Sequence, residues 1–200
     1  MHKSRSFLIV HPMKILFIIL VLLAAVGIKL NAQSGLVLAA GVSMAYTDNP
    51  ATSEKGKMIS GFHGSLSGRI GSKSWYYKPG LELHVMQFYP EKVLNPFTYK
   101  PAMYFLKVPS QIGLRLVKAD NFNLRVAGGF QFSFTLSIDD NKDNFNGNTI
   151  KDVQTGALLG AGIDLGPISI DVNFEKGLTE LYTNTGYTAD YLLISAGVFF

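Results

Sequence analysis

The sequence predicts an all-β protein, an eight-stranded antiparallel up-and-down transmembrane β-barrel behind a cleaved export signal. Three observations lead there. First, residues 122–137 alternate throughout. Phe122, Leu124, Val126, Gly128, Phe130, Phe132, Phe134 and Leu136 take the even positions. Asn123, Arg125, Ala127, Gly129, Gln131, Ser133, Thr135 and Ser137 take the odd ones. Successive side chains of a strand point to opposite faces, so one face meets an apolar medium and the other a wet one. Second, seven further stretches repeat the pattern. The connections between them run long, short, long, short, long, short, long, as in bacterial outer-membrane barrels. Third, the chain opens on basic residues followed by a continuous apolar run.

That opening reads as a signal peptide, residues 1–32. Lys3, Arg5 and Lys14 precede the apolar run from Ile15 to Ile28. The run has the length of a secretory h-region and is short for a membrane-spanning helix. Leu30-Asn31-Ala32 puts a small residue where cleavage before Gln33 needs one, and Met13-Lys14 offers an alternative start. The absence of cysteine disfavours a lipoprotein and fits an exported chain without disulfides. Removing the four bases Lys3, Arg5, Lys14 and Lys29 from the 18 of the whole chain leaves bases and acids equal, at 14. The net charge of +4 therefore belongs to the signal, and charge gives no case for nucleic acid. Residues 33–200 suffice for one domain.

The strands follow in order. The first, 36–46, lines up Leu36, Leu38, Ala40, Val42, Met44 and Tyr46 against Gly41, Ser43 and Ala45. A polar loop leads to the second, 58–70, with Phe62, Leu66 and Ile70 opposed to His63, Ser65, Ser67 and Arg69. Gly71-Ser72-Lys73-Ser74 is a tight turn. The third, 75–89, faces Trp75, Tyr77, Pro79, Leu81, Leu83 and Val85 to lipid and Lys78, Gly80, Glu82, His84 and Met86 inward. Pro79 cannot donate to a ladder, so it predicts a bulge or a gap in pairing. A long loop, 90–103, precedes the fourth strand, 104–116, with Lys107, Pro109, Gln111, Gly113 and Arg115 inward. The fifth is the stretch above. After the acidic, Asn-rich loop 139–149, the sixth strand spans 152–165. It turns Asp152, Gln154, Gly156, Gly160, Gly162 and Asp164 inward. Gly166-Pro167 turns the chain into the seventh, 168–175, where Ser169, Asp171, Asn173 and Glu175 face inward. The eighth, 191–200, ends on Phe200.

Alternation alone leaves open which face is inside, since a lipocalin-like soluble barrel reverses the two. The polar face here is rich in Gly, Ser, Asn and Thr, and charged residues are only 16% of the chain, below a soluble surface. Trp75, Tyr77, Tyr89, Tyr104 and Phe122 sit near strand ends, where interfacial girdles lie. The expected location is the bacterial outer membrane, with membrane lipid as the solvent.

Several short motifs carry a family resemblance. Tyr77-Lys78-Pro79-Gly80-Leu81-Glu82-Leu83 resembles the third-strand motif of PorT-like outer-membrane barrels. Phe105-Leu106-Lys107-Val108-Pro109 resembles their Tyr-Leu-Glu-Ile-Pro segment, with Lys107 where a carboxylate is usual. Residues 152–156 and 160–162 resemble their Gly-rich sixth strand. The resemblance spans nearly all of the mature chain, but its motifs are short and mostly structural. It implies an outer-membrane barrel and, through PorT itself, an association with protein secretion. Phe200 resembles the C-terminal aromatic that the barrel assembly machinery reads.

The expected interior is a polar network of Arg69, Lys78, Lys107, Arg115 and Arg125 with Glu82, Asp152, Asp164, Asp171 and Glu175. Eight strands enclose a space that side chains just fill, and charges there must be paired or hydrated. Arg69, Lys78, Arg115 and Arg125 are expected near the turn end with Asp164 and Asp171. A structural plug is the leading reading, ahead of a narrow ion path. His63, Ser65, Glu82 and His84 offer a hydrolase alternative, with His63 opposite Glu82 if the hairpin closes about Ser72-Lys73. Residues 139–143 have the acidic spacing of a calcium-loop start, but Asn144 and Ile150 stand where Gly and Glu are needed, so a solvated loop is expected. Phe97, Tyr99 and Met103 make the loop before the fourth strand adhesive and a candidate partner surface. No cofactor motif is present. The expected role is non-enzymatic: a scaffold or partner subunit of an envelope or secretion complex. A small pore or a ligand-binding barrel is the alternative.

Overall fold

The computed structural model describes residues 35–47, 57–71, 74–87, 101–119, 121–141 and 143–200. The expected signal, residues 1–32, and the loop aromatics Phe97 and Tyr99 lie outside them. The strands are β1 (Gly35–Thr47), β2 (Lys57–Gly71), β3 (Trp75–Gln87), β4 (Ala102–Ala119), β5 (Phe122–Ile138), β6 (Val153–Leu165), β7 (Ile168–Gly177) and β8 (Ala189–Phe199). Each pairs antiparallel with its neighbour in sequence, and β8 returns to β1 to close the barrel. Phe200 completes the seam: its N–H donates to Leu36 O at 2.9 Å and its carbonyl accepts from Leu36 N at 2.7 Å.

Alternation decides the faces. Leu38, Leu83, Ile112, Phe130, Leu159 and Val172 are exposed around the outside, while Ser43, His84, Lys107, Arg125, Gln131 and Asp171 are buried within. In a soluble protein that distribution would be inverted. Trp75, Tyr77, Phe122 and Phe200 ring the end that holds the short turns, and Tyr46 lies exposed at the other.

Local departures have local causes. Around Pro79 the pairing lapses on both sides. The β2–β3 partners skip from Ser67↔Gly80 to Ile70↔Tyr77, and the β3–β4 partners from Pro79↔Ser110 to Glu82↔Lys107. The register is unchanged across both lapses, so each is a gap rather than a bulge: the β2–β3 gap contains Pro79, and the β3–β4 gap lies opposite Val108 and a second proline, Pro109. Two bulges lie on the β4–β5 ladder, between Tyr104 and Phe105 and between Arg115 and Val117. The first places an extra residue, Leu136, on β5. Ser137, expected on the wet face, is therefore exposed, and Ile138 turns in to pack on the core.

The β2–β3 register also differs from the expected one. His63 stands opposite His84, and Ser65 opposite Glu82, because the turn centres one residue later, with Gly71 paired to Tyr76. Met103 is not a loop residue. β4 begins at Ala102, and Met103 points inward, fully buried, paired with Met86. The β5–β6 loop is not simply solvated either. Phe145 and Ile150 fold over the barrel mouth and join Leu181 and Tyr182 of the β7–β8 loop in an apolar cluster. An isolated bridge, Ile150↔Tyr182, ties the two loops together.

Leu159 lies midway along β6 and is 67% exposed. Leu159→Arg should lower unfolding stability in lipid vesicles by about 2–4 kcal/mol, the depth-dependent cost of a guanidinium on a lipid face. A loss under about 1 kcal/mol in urea titration would place Leu159 away from hydrocarbon.

Candidate functional site

The lumen is built in three levels. At the turn end, β2, β3, β5, β6 and β7 each contribute to one ion network. Arg125 donates from Nε to Asp164 Oδ2 at 2.9 Å and from Nη1 to Asp171 Oδ1 at 2.9 Å. Arg69 Nη1 chelates Asp164 at 2.9 and 3.0 Å, and its Nη2 donates to Ser169 Oγ at 2.6 Å. Lys78 Nζ lies 3.4 Å from Asp171 Oδ2. Gly162 makes the room, since a Cβ there would come within 2.7 Å of Arg125 Nη2. Arg115 lies at the edge of this level, with its guanidinium over the Tyr76 ring at 5.2 Å.

Midway, Lys107 Nζ donates to Glu175 Oε2 at 2.6 Å and lies 3.5 Å from the Tyr191 ring centroid. Gln131 donates to the same Glu175 oxygen at 3.2 Å. Lys107 of β4 is thus matched by a carboxylate on β7. Beside this pair sits a serine–histidine–glutamate cluster. Ser43 Oγ lies 2.8 Å from His63 Nδ1 and 3.2 Å from His84 Nδ1. His84 Nε2 lies 2.8 Å from Glu82 Oε2. The two imidazoles stack with centroids 4.9 Å apart and an interplanar angle of 14°. The serine in this cluster is Ser43, not Ser65. Ser43 is completely enclosed and both rings nearly so.

The third level, toward the loop end, is apolar: Ala45, Ile59, Met86, Met103, Phe105, Tyr191 and Leu193 below the loop residues Phe145, Ile150, Leu181 and Tyr182. Burial pushes the Tyr182 hydroxyl pKa up.

Of the expected network, Arg69, Lys78, Arg125, Asp164 and Asp171 meet in one cluster, and Lys107 and Glu175 in a second. Glu82 is engaged by His84 rather than by a base within the first cluster. Asp152 is outside the lumen: it is exposed at the bend before β6, which begins one residue later at Val153. Sequence reasoning missed Ser43, Ser169, Tyr76 and Tyr191 as partners. All four lie at inward positions of the alternation, but their meeting depends on strands that are distant in sequence. Among the described residues no cluster of His, Asp and Glu is arranged to hold a metal ion.

Residues 31–183 match the family described as "Outer membrane protein beta-barrel domain". The chain belongs to this family. Its barrel is that of an outer-membrane protein, and the bacterial outer membrane is its location. Curated proteins give no match. Among solved structures it is similar to Neisserial surface protein A, at 10% identity and a TM-score of 0.52 over 82% of this chain and 97% of that one. It is also similar to Ail, the attachment invasion locus protein of Yersinia pestis, solved with the heparin analogue sucrose octasulfate. That match has 14% identity and a TM-score of 0.45, over 84% of this chain and 99% of Ail. At these identities the likeness to solved barrels concerns the fold alone.

In this family member Arg125→Met should cost about 3–5 kcal/mol in unfolding experiments, because Asp164 and Asp171 remain buried with too few donors. Asp152→Asn should change stability by less than about 1 kcal/mol, as expected for an exposed charge. Equal losses in the two variants would return Asp152 to the network.

Proposed function

We propose that the protein is a non-enzymatic outer-membrane scaffold, a partner subunit of an envelope or secretion complex. One observation carries this reading: the lumen is filled at every level. Arg69 and Arg125 at the turn end, Lys107 midway and Met86, Met103 and Phe105 below the mouth are all essentially enclosed. A water-filled path would leave such side chains hydrated, and conducting lumens belong to wider barrels. The Ser43–His84–Glu82 cluster lies within the same packed interior, away from the bilayer where a lipid ester would be. Its serine sits on Nδ1 and its carboxylate on Nε2, the reverse of the usual triad arrangement.

With the inside taken up by structure, contact with other molecules falls to the loops and the rim. The PorT-like motifs in β3 and β4 support a secretion-associated complex as the setting. Phe200, exposed at the closing seam, supports recognition by the barrel assembly machinery during insertion. The candidate loop aromatics Phe97 and Tyr99 remain part of the proposed partner surface, without Met103.

Tagged protein solubilised in mild detergent should migrate on a native gel as a discrete complex larger than the chain itself. In planar bilayers the purified barrel should give no steady conductance, and with phospholipid vesicles it should release no fatty acid. A lone folded monomer would overturn the scaffold reading. Stable single-channel steps would favour the pore, and lipid turnover lost in Ser43→Ala would favour the enzyme.

A further inference from the structure

Two histidines lie in the described barrel, His63 and His84, and the other two of the chain, His2 and His11, fall in the expected signal. Histidine is the side chain that ordinarily changes charge between pH 5 and 8. His63 of β2 and His84 of β3 stand directly opposite one another. Both reach Ser43 Oγ of β1 through Nδ1, at 2.8 and 3.2 Å. Ser43 thereby ties β1 to β3, two strands that share no ladder. A Cβ on Gly41 would come within 2.8 Å of the His63 ring, so β1 packs closely against it.

Hydrogen bonding limits the protons this cluster accepts. Ser43 has one hydroxyl proton for two ring nitrogens. One Nδ1 accepts it, and the other must carry a proton and donate to Oγ. His84 Nε2 lies 2.8 Å from Glu82 Oε2, and an ionised carboxylate only accepts, so that nitrogen is protonated. These bonds close with both rings neutral, or with His84 charged beside Glu82 and His63 neutral. With both rings charged, two N–H groups converge on Ser43 Oγ, and its own proton has no ring nitrogen left to meet.

The surroundings do not compensate a second charge. From β3, Glu82 serves His84, and its partly exposed side chain gives protons a route to the rings. From β4, the Lys107 ammonium lies within electrostatic reach of both rings. The acid of β7, Glu175, is taken by Lys107, and Tyr191 of β8 lies against the same ammonium. Two imidazolium rings with centroids 4.9 Å apart would repel there, with little water to screen them. We propose that Ser43, His63 and His84 form an acid-sensitive latch across the lumen, closed while at most one ring is charged and broken by a second proton. Ala45 and Met86, two residues further along β1 and β3, belong to the apolar level below the mouth. Opening the latch therefore loosens that level. The ion network at the turn end contains no histidine and keeps its pairing.

The test uses isotope-labelled protein folded in detergent micelles and followed by NMR from pH 7.5 to pH 5. The imidazole signals of His63 and His84 should show at most one ring gaining a proton. An opened segment takes up a second proton below about pH 6.5, so opening grows more favourable by up to tenfold per pH unit below that value. Amide exchange over residues 43–46 and 84–87, corrected for its intrinsic pH dependence, should therefore rise more than about tenfold by pH 5. Exchange over residues 123–126 at the turn end should stay unchanged. His63→Gln keeps a side chain able to bond Ser43 and removes one ring, so it should abolish the rise. Two rings titrating independently near pH 6.5 would overturn the proposal. So would flat corrected exchange, an equal rise at the turn end, or the same rise in His63→Gln. The ring titration is read on the parent protein alone, so it decides the matter even where the variant does not fold.

Discussion

Hydrocarbon offers no partner to a backbone N–H or C=O, and that constraint governs the rest of this molecule. An open sheet of eight strands would expose two unpaired edges to lipid, each unsatisfied group costing several kcal/mol. Closure removes both edges. The seam runs from Thr47↔Ala189 to Val37↔Phe199, and the reciprocal bonds between Leu36 and Phe200 extend it to the last residue of the sequence. Arg69 reinforces the seam from within, with its guanidinium 5.3 Å from the Phe199 ring centroid.

Closing eight strands fixes a narrow interior, and the narrowness dictates the inner face. Large side chains must face small ones. Tyr76 fills the space over Gly113, where a Cβ would overlap its ring, and Arg125 fills the space over Gly162. Narrowness also forces charges into contact, so Arg69, Lys78, Lys107 and Arg125 are each met by an acid on another strand. Replacing a buried ion pair by apolar residues often leaves stability unchanged or improved, so the network is weak evidence of stability as such. Its clearer effect is on register. A one-residue slip would send Arg125 into lipid and Phe130 into the lumen. The polar inner face therefore penalises every slip by an odd number of residues, whereas a slip by two keeps the faces and is left to the turns and the ion pairs to resist.

Strand number, strand order and the facing of nearly every residue were legible in the sequence, because lipid and lumen impose a strict period of two. What was not legible depends on single residues that break that period, or on distance. The extra residue at Leu136 leaves no mark in the pattern 122–137, yet it reverses Ser137 and Ile138. The β2–β3 turn admits two registers of equal alternation, and only the seating of Gly71 opposite Tyr76 selects the observed one. Met103 follows three prolines and so reads as loop, yet it lies inside the wall because β4 begins earlier than its alternation suggests. Asp152 fails in the opposite sense, sitting just before the strand that would have turned it inward. Ser43, Ser169 and Tyr191 lie at inward positions and were recognisable as lumen residues. Their partners were not, since pairing across a lumen depends on strand tilt and shear, which the sequence does not display.

The two ends of the barrel differ in a way that strands alone do not require. The turn end is closed by ions and the outer end by loops that bring their own apolar side chains. Ordering loop backbone costs roughly 1–2 kcal/mol per residue. A segment that only joined two strands could avoid that cost by staying polar and mobile. Here Phe145, Ile150, Leu181 and Tyr182 are buried under the mouth, each contributing about 1.5–3 kcal/mol, and they offset the ordering cost of the loops that carry them. The bond from Thr183 to Thr149 and the Ile150↔Tyr182 bridge then lock one loop to the other. The apolar plug thus acts outward as well as inward. It seals the lumen, and it holds two Asn- and Thr-rich loops in one fixed shape on the external face. A barrel whose interior is occupied and whose β5–β6 and β7–β8 loops are tied together presents its chemistry at the mouth, where a partner or ligand meets a preformed surface and little further ordering is needed to bind.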